Sequence, residues 1–208
     1  MTDVDWVALL REDPERFDLL RGDAGVRVLV GPDLSGAVLR SDLSGLVLVD
    51  ADLRGADLSA CRLDGAHLDG CDLTAAVLRG ARLDGVRLQR AVLAGADLTG
   101  AVLDGCLLGG ADLRRAVLRG ARLTTCALSD LTATGVDLTG ATLHDCSLGG
   151  SALDGARLVD GRWTACSFHG GSVVGADATG CELVDCELSG LAGVEVLEQA
   201  VRGGTTVG

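Results

Sequence analysis

From Ser41 to Gly190 the chain follows one unbroken five-residue frame: a small residue, a variable one, leucine, a variable one, then glycine. The frame holds for 30 units over 150 residues. It is plainest in Ala91-Val-Leu-Ala-Gly, Ala96-Asp-Leu-Thr-Gly, Ala101-Val-Leu-Asp-Gly. The third position is Leu in 25 of the 30 units. The first is Ala, Cys, Ser, Gly or Val in 28, with Leu46 and Leu131 as exceptions, and the fifth is Gly in 19.

This period excludes the two common elements. In an α-helix a five-residue step turns about 500°, so successive leucines would fall about 140° apart and form no stripe. A flat strand needs strict alternation, and here the spacing runs two, then three. The first and third positions therefore share one face of a short extended segment, and the extra residue turns a corner. Glycine suits the corner because it tolerates backbone angles that other residues resist. A chain bending the same way every five residues winds into an all-β solenoid, with positions one and three inside.

The irregular units keep the cross-section. Leu131 and Ala133 exchange the usual small and large roles. In residues 161–180, Trp163 and Phe168 take two third positions, Val173 and Ala178 take the others, and Gly161 and Gly171 shrink the first position. Bulk on two faces is offset by small residues elsewhere, as close packing demands.

These repeats resemble the pentapeptide-repeat family, whose motif is A(D/N)LXX, over about 72% of the chain (150 of 208 residues). The resemblance implies a right-handed quadrilateral β-helix of about 7–8 coils of 20 residues, with short α-helical caps at both ends.

Three segments follow: 1–33 as an N-terminal helical cap and lead-in strand, 34–190 as the β-helix, and 191–208 as a C-terminal cap helix and tail. Trp6, Leu9 and Leu10 sit at helical spacing, and Asp13-Pro14-Glu15 reads as a helix cap, a proline at the first helical position and an acid in the first turn. Phe17 and Leu20 extend an apolar face, and Val26–Val30 reads as a strand. The step from Leu39 to Leu43 is four residues, so the first coil joins the frame with a one-residue slip. Leu191, Val194, Leu197 and Val201 fit a short amphipathic helix, a cap whose apolar face could also mate with a second copy as a homodimer.

Composition narrows the function. The net charge is -12, and all 18 basic residues are Arg, which argues against direct nucleic-acid binding. No apolar run approaches the roughly 20 residues needed to span a bilayer. The first residues, Met1-Thr2-Asp3-Val4-Asp5, lack the basic n-region of a signal peptide, and cysteines expected as reduced thiols suggest the cytoplasm. All eight cysteines, Cys61, Cys71, Cys106, Cys126, Cys146, Cys166, Cys181 and Cys186, fall at the inward first position and read as small buried hydrophobes. Five of them, Cys106 to Cys186, recur every 20 residues and should form one column. No CxxC pair is present, and His67, His144 and His169 are all outward, so no metal, cofactor or catalytic set is expected.

The acidic surface is the candidate site. Asp52, Asp72 and Asp112 share one face, and Asp57, Asp97, Asp137 and Asp177 the next. The family includes proteins thought to imitate duplex DNA toward DNA gyrase, so the resemblance implies a protein partner of the type II topoisomerase class. Residues 41–190 carry 20 acids and 12 Arg, a net of -8. Duplex DNA of the same length, about 36 Å at the inter-strand spacing, would carry about 21 charges at about one per 1.7 Å. Two readings stay open: a DNA mimic, or a rod that binds another protein and whose acids only keep it solvated. An enzyme comes third.

Overall fold

In the computed structural model, residues 5–24, 28–198, 200–202 and 205–206 are described. Of the expected lead-in strand, Val26 and Arg27 lie outside them. From Val28 onward the chain is a parallel β-solenoid with four faces. On face A the bridges climb through Val28, Val47, His67, Arg87, Leu107, Ala127, Ser147, Ser167, Glu187 and Thr206. These ten rungs make the stack longer than the 7–8 coils expected, because segments before and after the repeat frame also pair onto it. Face B carries Asp52, Asp72 and Asp112, and face C carries Asp57, Asp97, Asp137 and Asp177. Face D becomes a six-stranded parallel sheet of β1 (Val102–Asp104), β2 (Arg122–Thr124), β3 (Thr142–His144), β4 (Arg162–Thr164), β5 (Glu182–Val184) and β6 (Val201–Arg202).

Most units repeat one set of bonds. Around Leu53, the Leu53 N–H donates to the Asp72 carbonyl of the coil above at 2.8 Å, and the Gly55 N–H donates to the Thr74 carbonyl at 2.9 Å. The Asp72 N–H donates down to the Ala51 carbonyl at 3.0 Å, and at the corner the Ala56 N–H closes onto the Leu53 carbonyl at 3.0 Å. The step from Leu39 to Leu43 is where the slip falls: Val28, Val38 and Asp33 pair 19 residues ahead, and every bridge from Val47 to Ser172 pairs 20 ahead.

Every fifth position is left-handed, whatever residue occupies it. All 19 glycines of the frame have positive φ, and so do the other eleven occupants, including Asp50 (φ 57°), Ala75 (φ 56°), Arg90 (φ 58°) and Thr125 (φ 51°). Left-handed backbone costs a non-glycine residue roughly 1–2 kcal/mol. The surrounding bonds hold the corner against that strain eleven times.

The interior is a continuous column of Leu, Ala and Cys, in which first and third positions are almost all fully buried. Where Trp163 and Phe168 replace two leucines, their rings stack with centroids 5.2 Å apart and planes 16° apart. A Cβ on Gly161 would lie 3.0 Å from the indole nitrogen of Trp163, so glycine there makes the room. Ser151, fully buried at a first position, satisfies its hydroxyl by donating to the Leu128 carbonyl at 2.7 Å and accepting from the Leu131 N–H at 3.0 Å.

The N-terminal end is closed by two helices. α1 (Trp6–Glu12) is capped by the Asp5 carboxylate, which accepts from Val7 and Ala8, and α2 (Pro14–Ala24) by the Asp13 carboxylate, which accepts from Arg16. Leu10 and Phe17 are fully buried, with Trp6 edge-on to Phe17. Arg11 donates to the Asp33 carbonyl at 2.9 Å and Ser41 to the Pro14 carbonyl at 3.3 Å, tying the lid to the first coil.

The C-terminal end corrects an expectation. Among the described residues of the 191–201 segment no α-helix forms. Gly193, at φ 76°, turns the chain into a single 3-10 turn, Val194–Leu197, after which β6 pairs in parallel with β5. The three- and four-residue spacing that reads as a helical stripe here serves one turn folded over the last coil. Leu191 and Leu197 are buried in the protein's own core and Val194 packs against it, so these side chains present no apolar stripe to a second copy. For Val201 the pairing with Leu183 is what the structure describes.

Candidate protein-binding faces

Each of the seven column aspartates makes the same local bond. Its carboxylate accepts the backbone N–H two residues on: Asp52 from Arg54 at 3.2 Å, and Asp57 from Ser59, Asp72 from Thr74, Asp97 from Thr99, Asp112 from Arg114 and Asp137 from Thr139, all at 3.0 Å. Asp177 accepts from Thr179 at 3.1 Å. A short acceptor at the second position thus satisfies the N–H just before the corner, the side-chain turn that Asp favours. Aspartate recurs in these columns because the backbone uses it. The sequence carries the signal, Asp followed two residues on by Ser, Thr or Arg, but sequence reasoning missed it and read the column as charge alone.

Arginine answers most of that charge. Asp52 pairs with Arg54 at 2.5 Å, Asp97 with Arg79 at 2.7 Å, Asp112 with Arg114 at 2.5 Å and Asp137 with Arg119 at 2.7 Å. Asp72 lies 3.8 Å from Arg54, and Arg157 lies 4.0 Å from Asp137. Nine of the twelve Arg of the repeats stand in such pairs. Several join neighbouring coils, with Arg at a fourth position reaching Asp 18 residues later in Arg79–Asp97 and Arg119–Asp137. Asp57 and Asp177 have no Arg partner of this kind among the described residues.

The titration behaviour follows. Asp52 is pulled down to about 2 by the Arg54 guanidinium and N–H. Hydrogen bonds from Arg114 hold Asp112 below the usual range, and those from Ser59 and Thr179 do the same for Asp57 and Asp177. At Asp97 and Asp137 burial works the other way, but bonds from the adjacent threonine and arginine outweigh it and the carboxyls remain low. These six carboxyls are ionised at neutral pH and held by their hydrogen bonds.

The cysteines are inside, all eight buried and free. Cys61 and Cys71 donate to the carbonyls of Leu39 and Leu48 in the coil below, both at 2.8 Å. Burial pushes Cys61 up to about 11 and Cys71 and Cys181 up to about 12. Within the five-thiol column, Cys126 and Cys166 are pushed up by hydrogen bonding to the thiols on either side and by burial. Among the described residues no three His, Cys, Asp or Glu are placed to hold a metal ion. His169 bonds the Ser189 hydroxyl at 3.0 Å, but that hydroxyl donates to the Glu187 carboxylate at 2.9 Å and not to the ring, so the serine is not set up as a nucleophile with the histidine as its base.

Comparison with known proteins decides the family. The family described as pentapeptide repeats matches in 8 copies, over residues 29–74, 51–90, 71–110, 91–130 and 126–160. The chain belongs to the pentapeptide-repeat family. Among solved structures, this pentapeptide-repeat protein is similar to HetL of the cyanobacterium Nostoc sp. strain PCC 7120, a protein involved in regulating heterocyst differentiation. The two share 28% identity over 90% of each chain, with a TM-score of 0.54. It is also similar to QnrB1, a plasmid-mediated fluoroquinolone resistance protein, at 19% identity over 78% of this chain and 90% of that one, TM-score 0.43. Rfr23 of the cyanobacterium Cyanothece 51142 matches at 27% identity over 64% of this chain and 93% of that one, TM-score 0.33. No curated protein matches the sequence. No helix of the described residues is long and apolar enough to cross a membrane.

Proposed function

We propose that this pentapeptide-repeat protein is a non-catalytic cytoplasmic rod whose rigid faces bind another protein. The observation that carries this reading is the double fixation of the outward carboxylates. Each is held by a backbone N–H and most by an Arg, at spacings of two coils on face C and of one and two coils on face B. Side chains fixed before binding lose little entropy when a partner arrives, and that favours recognition over chemistry. Eight buried thiols fit a reducing compartment. Crosslinking in lysate followed by capture tests the reading. A specific protein should be retained by the native rod and lost when Asp57, Asp97 and Asp137 are changed together to Arg; equal capture by both would refute it.

A second, narrower reading is DNA mimicry toward DNA gyrase. What favours it is the stacked order of acids on face C, Asp57, Asp97, Asp137 and Asp177. Against it, the net of -8 over the repeats is well under half of what DNA of that length carries, and Arg79 and Arg119 stand among the acids. A gyrase supercoiling assay separates the two. Inhibition or quinolone protection at micromolar protein supports mimicry, and neither effect leaves the general protein-binding rod.

A further inference from the structure

The four faces do not finish level at the C-terminal end. Face B ends on Ala192 paired with Ser172, face D on β6, and face A on Thr206 paired with Glu187. Face C ends one rung lower, on Asp177–Gly180, because the chain crosses it as the 3-10 turn Val194–Leu197 instead of as a strand. In the rung below, the Leu158 N–H donates to the Asp177 carbonyl at 2.7 Å and the Asp160 N–H to the Thr179 carbonyl at 2.9 Å, while the Ala156 carbonyl accepts from Asp177 at 2.9 Å. The corresponding groups of the last rung, the N–H of Ala178 and of Gly180 and the carbonyl of Ala176, have no backbone partner among the described residues.

The result is a notch one strand deep. Ala176 and Ala178, at inward positions, are only half-buried, whereas their counterparts one coil below, Ala156 and Leu158, are fully buried. The space above them is about 650 Å³ and is bordered by Asp177, Glu182, Glu195 and Glu198, with no basic residue among the described residues that line it. Arg162 lies 3.6 Å from Glu182, leaving Asp177, Glu195 and Glu198 as exposed carboxylates around an open sheet edge.

We propose that this notch accepts one extended, basic segment of a partner protein as the missing rung of face C. An open sheet edge binds an extended peptide through its main chain, and side-chain surroundings choose which peptide. Here the main chain asks for two carbonyls and one N–H in parallel register, and the surrounding carboxylates ask for Arg or Lys at the outward positions. A second copy of this chain is the wrong occupant, because at a net charge of -12 it meets like charge at an acidic notch. The proposal rests on the reading of the chain as a protein-binding rod and names one partner chemistry for it.

The test uses the full chain and labelled hexapeptides that alternate Arg with Val, Thr or Leu, followed by fluorescence anisotropy. Saturable, sub-millimolar binding that weakens with salt is expected. Glu195→Arg with Glu198→Arg should weaken it by about tenfold or more, as like charge at an interface does, with thermal unfolding unchanged. N-methylation of the alternate peptide nitrogens should weaken binding similarly, since main-chain pairing is then lost. Absence of saturable binding, equal binding of Glu-containing hexapeptides, or indifference to N-methylation would each overturn the proposal. So would a dimer in solution that the double Arg variant dissolves, since the notch would then hold a second copy. The double variant leaves faces B and C intact. If it loses the peptides but still captures the lysate partner, the notch proposal stands as a separate site; if native protein binds peptides but captures nothing through faces B and C, the faces fail and the notch survives.

Discussion

Coil 81–100 and coil 161–180 share one scaffold, bridged in the same faces and four coils apart, yet they fill it differently. In the first, Ala81, Leu83, Val86, Leu88, Ala91, Leu93, Ala96 and Leu98 are all fully buried, an even ring of small and large residues. In the second, Trp163 and Phe168 stack on two sides, Gly161 and Gly171 withdraw, and Ala176 and Ala178 are half-buried under the notch. The comparison teaches that the inter-coil hydrogen bonds set the spacing and the side chains must sum to fit it. A given position can vary only if another position in the same coil varies with it.

The largest effect should come from removing the bulk on which the second coil depends. Trp163→Ala leaves a cavity that no neighbouring leucine is shaped to fill, and is expected to cost about 3–5 kcal/mol. Leu83→Ala at the equivalent position of the even coil should cost about 2–5 kcal/mol. Trp163→Phe should be far milder than Trp163→Ala, because a ring still fills most of the space while the indole N–H, buried without a partner among the described residues, is removed. Urea unfolding of the three variants would measure this. A Trp163→Ala loss smaller than that for Leu83→Ala would mean the aromatic pair does not fill the coil.

Next comes the glycine that the aromatic coil requires. A Cβ on Gly171 would lie 2.7 Å from the Ser151 carbonyl oxygen, a backbone atom that cannot swing away. Gly171→Ala should therefore destabilise by about 1–3 kcal/mol, as overpacking does. The even coil already carries Ala91 at the same place on face B, fully buried and tolerated. Its reverse, Ala91→Gly, should cost no more than about 1 kcal/mol. Similar losses for the two substitutions would show that the first position has the same room in both coils.

Much of this was legible before any coordinates. The two-then-three spacing gives the inward pair, the corner and the winding, and the compensation of Trp163 and Phe168 by Gly161 and Gly171 follows from fixed volume. What could not be read has physical reasons. Arg90 and Thr125 carry no mark of a left-handed corner, which is imposed by the bonds of the coils around them. Leu191, Val194 and Leu197 have helical spacing, yet one turn satisfies it once Gly193 redirects the chain. The site was partly legible. The Asp columns are visible in the 20-residue period, but their bond to the N–H two residues on competes with charge as the reason for them. The notch depends on where the chain abandons face C, which no residue type announces.

The corners allow a matched pair of substitutions of intermediate size. Gly100, in the even coil, has φ 66° and open space where a Cβ would project, so Gly100→Ala isolates backbone strain. A destabilisation of about 1 kcal/mol is expected. Ala165, in the aromatic coil, already bears that strain at φ 55°, so Ala165→Gly should recover a comparable amount, reduced by the greater freedom of glycine in the unfolded chain. Thermal melts should move in opposite directions. Movement in the same direction would show that the corner residue acts through contacts instead of through its backbone angle.

The smallest effect distinguishes the face C carboxylates of the two coils. Asp97 accepts from both Thr99 and Arg79, with Arg79 reaching up from the coil below at 2.7 Å, whereas Asp177 is held by Thr179 and feels Arg157 only at longer range. Asn keeps the acceptor for the corner N–H but gives up the charge. Asp97→Asn should thus cost a few tenths of a kcal/mol at neutral pH, the scale of an exposed ion pair. Asp177→Asn should cost less. Both carboxyls are more acidic folded than unfolded, so their contribution is present above about pH 4, where the unfolded chain is also ionised, and fades as pH falls further. The deficit of Asp97→Asn should accordingly vanish toward pH 2 and shrink in high salt. If it persisted in acid, the carboxylate would be acting as a shape in the corner and not as a charge, and the acidic columns would lose their standing as recognition surfaces.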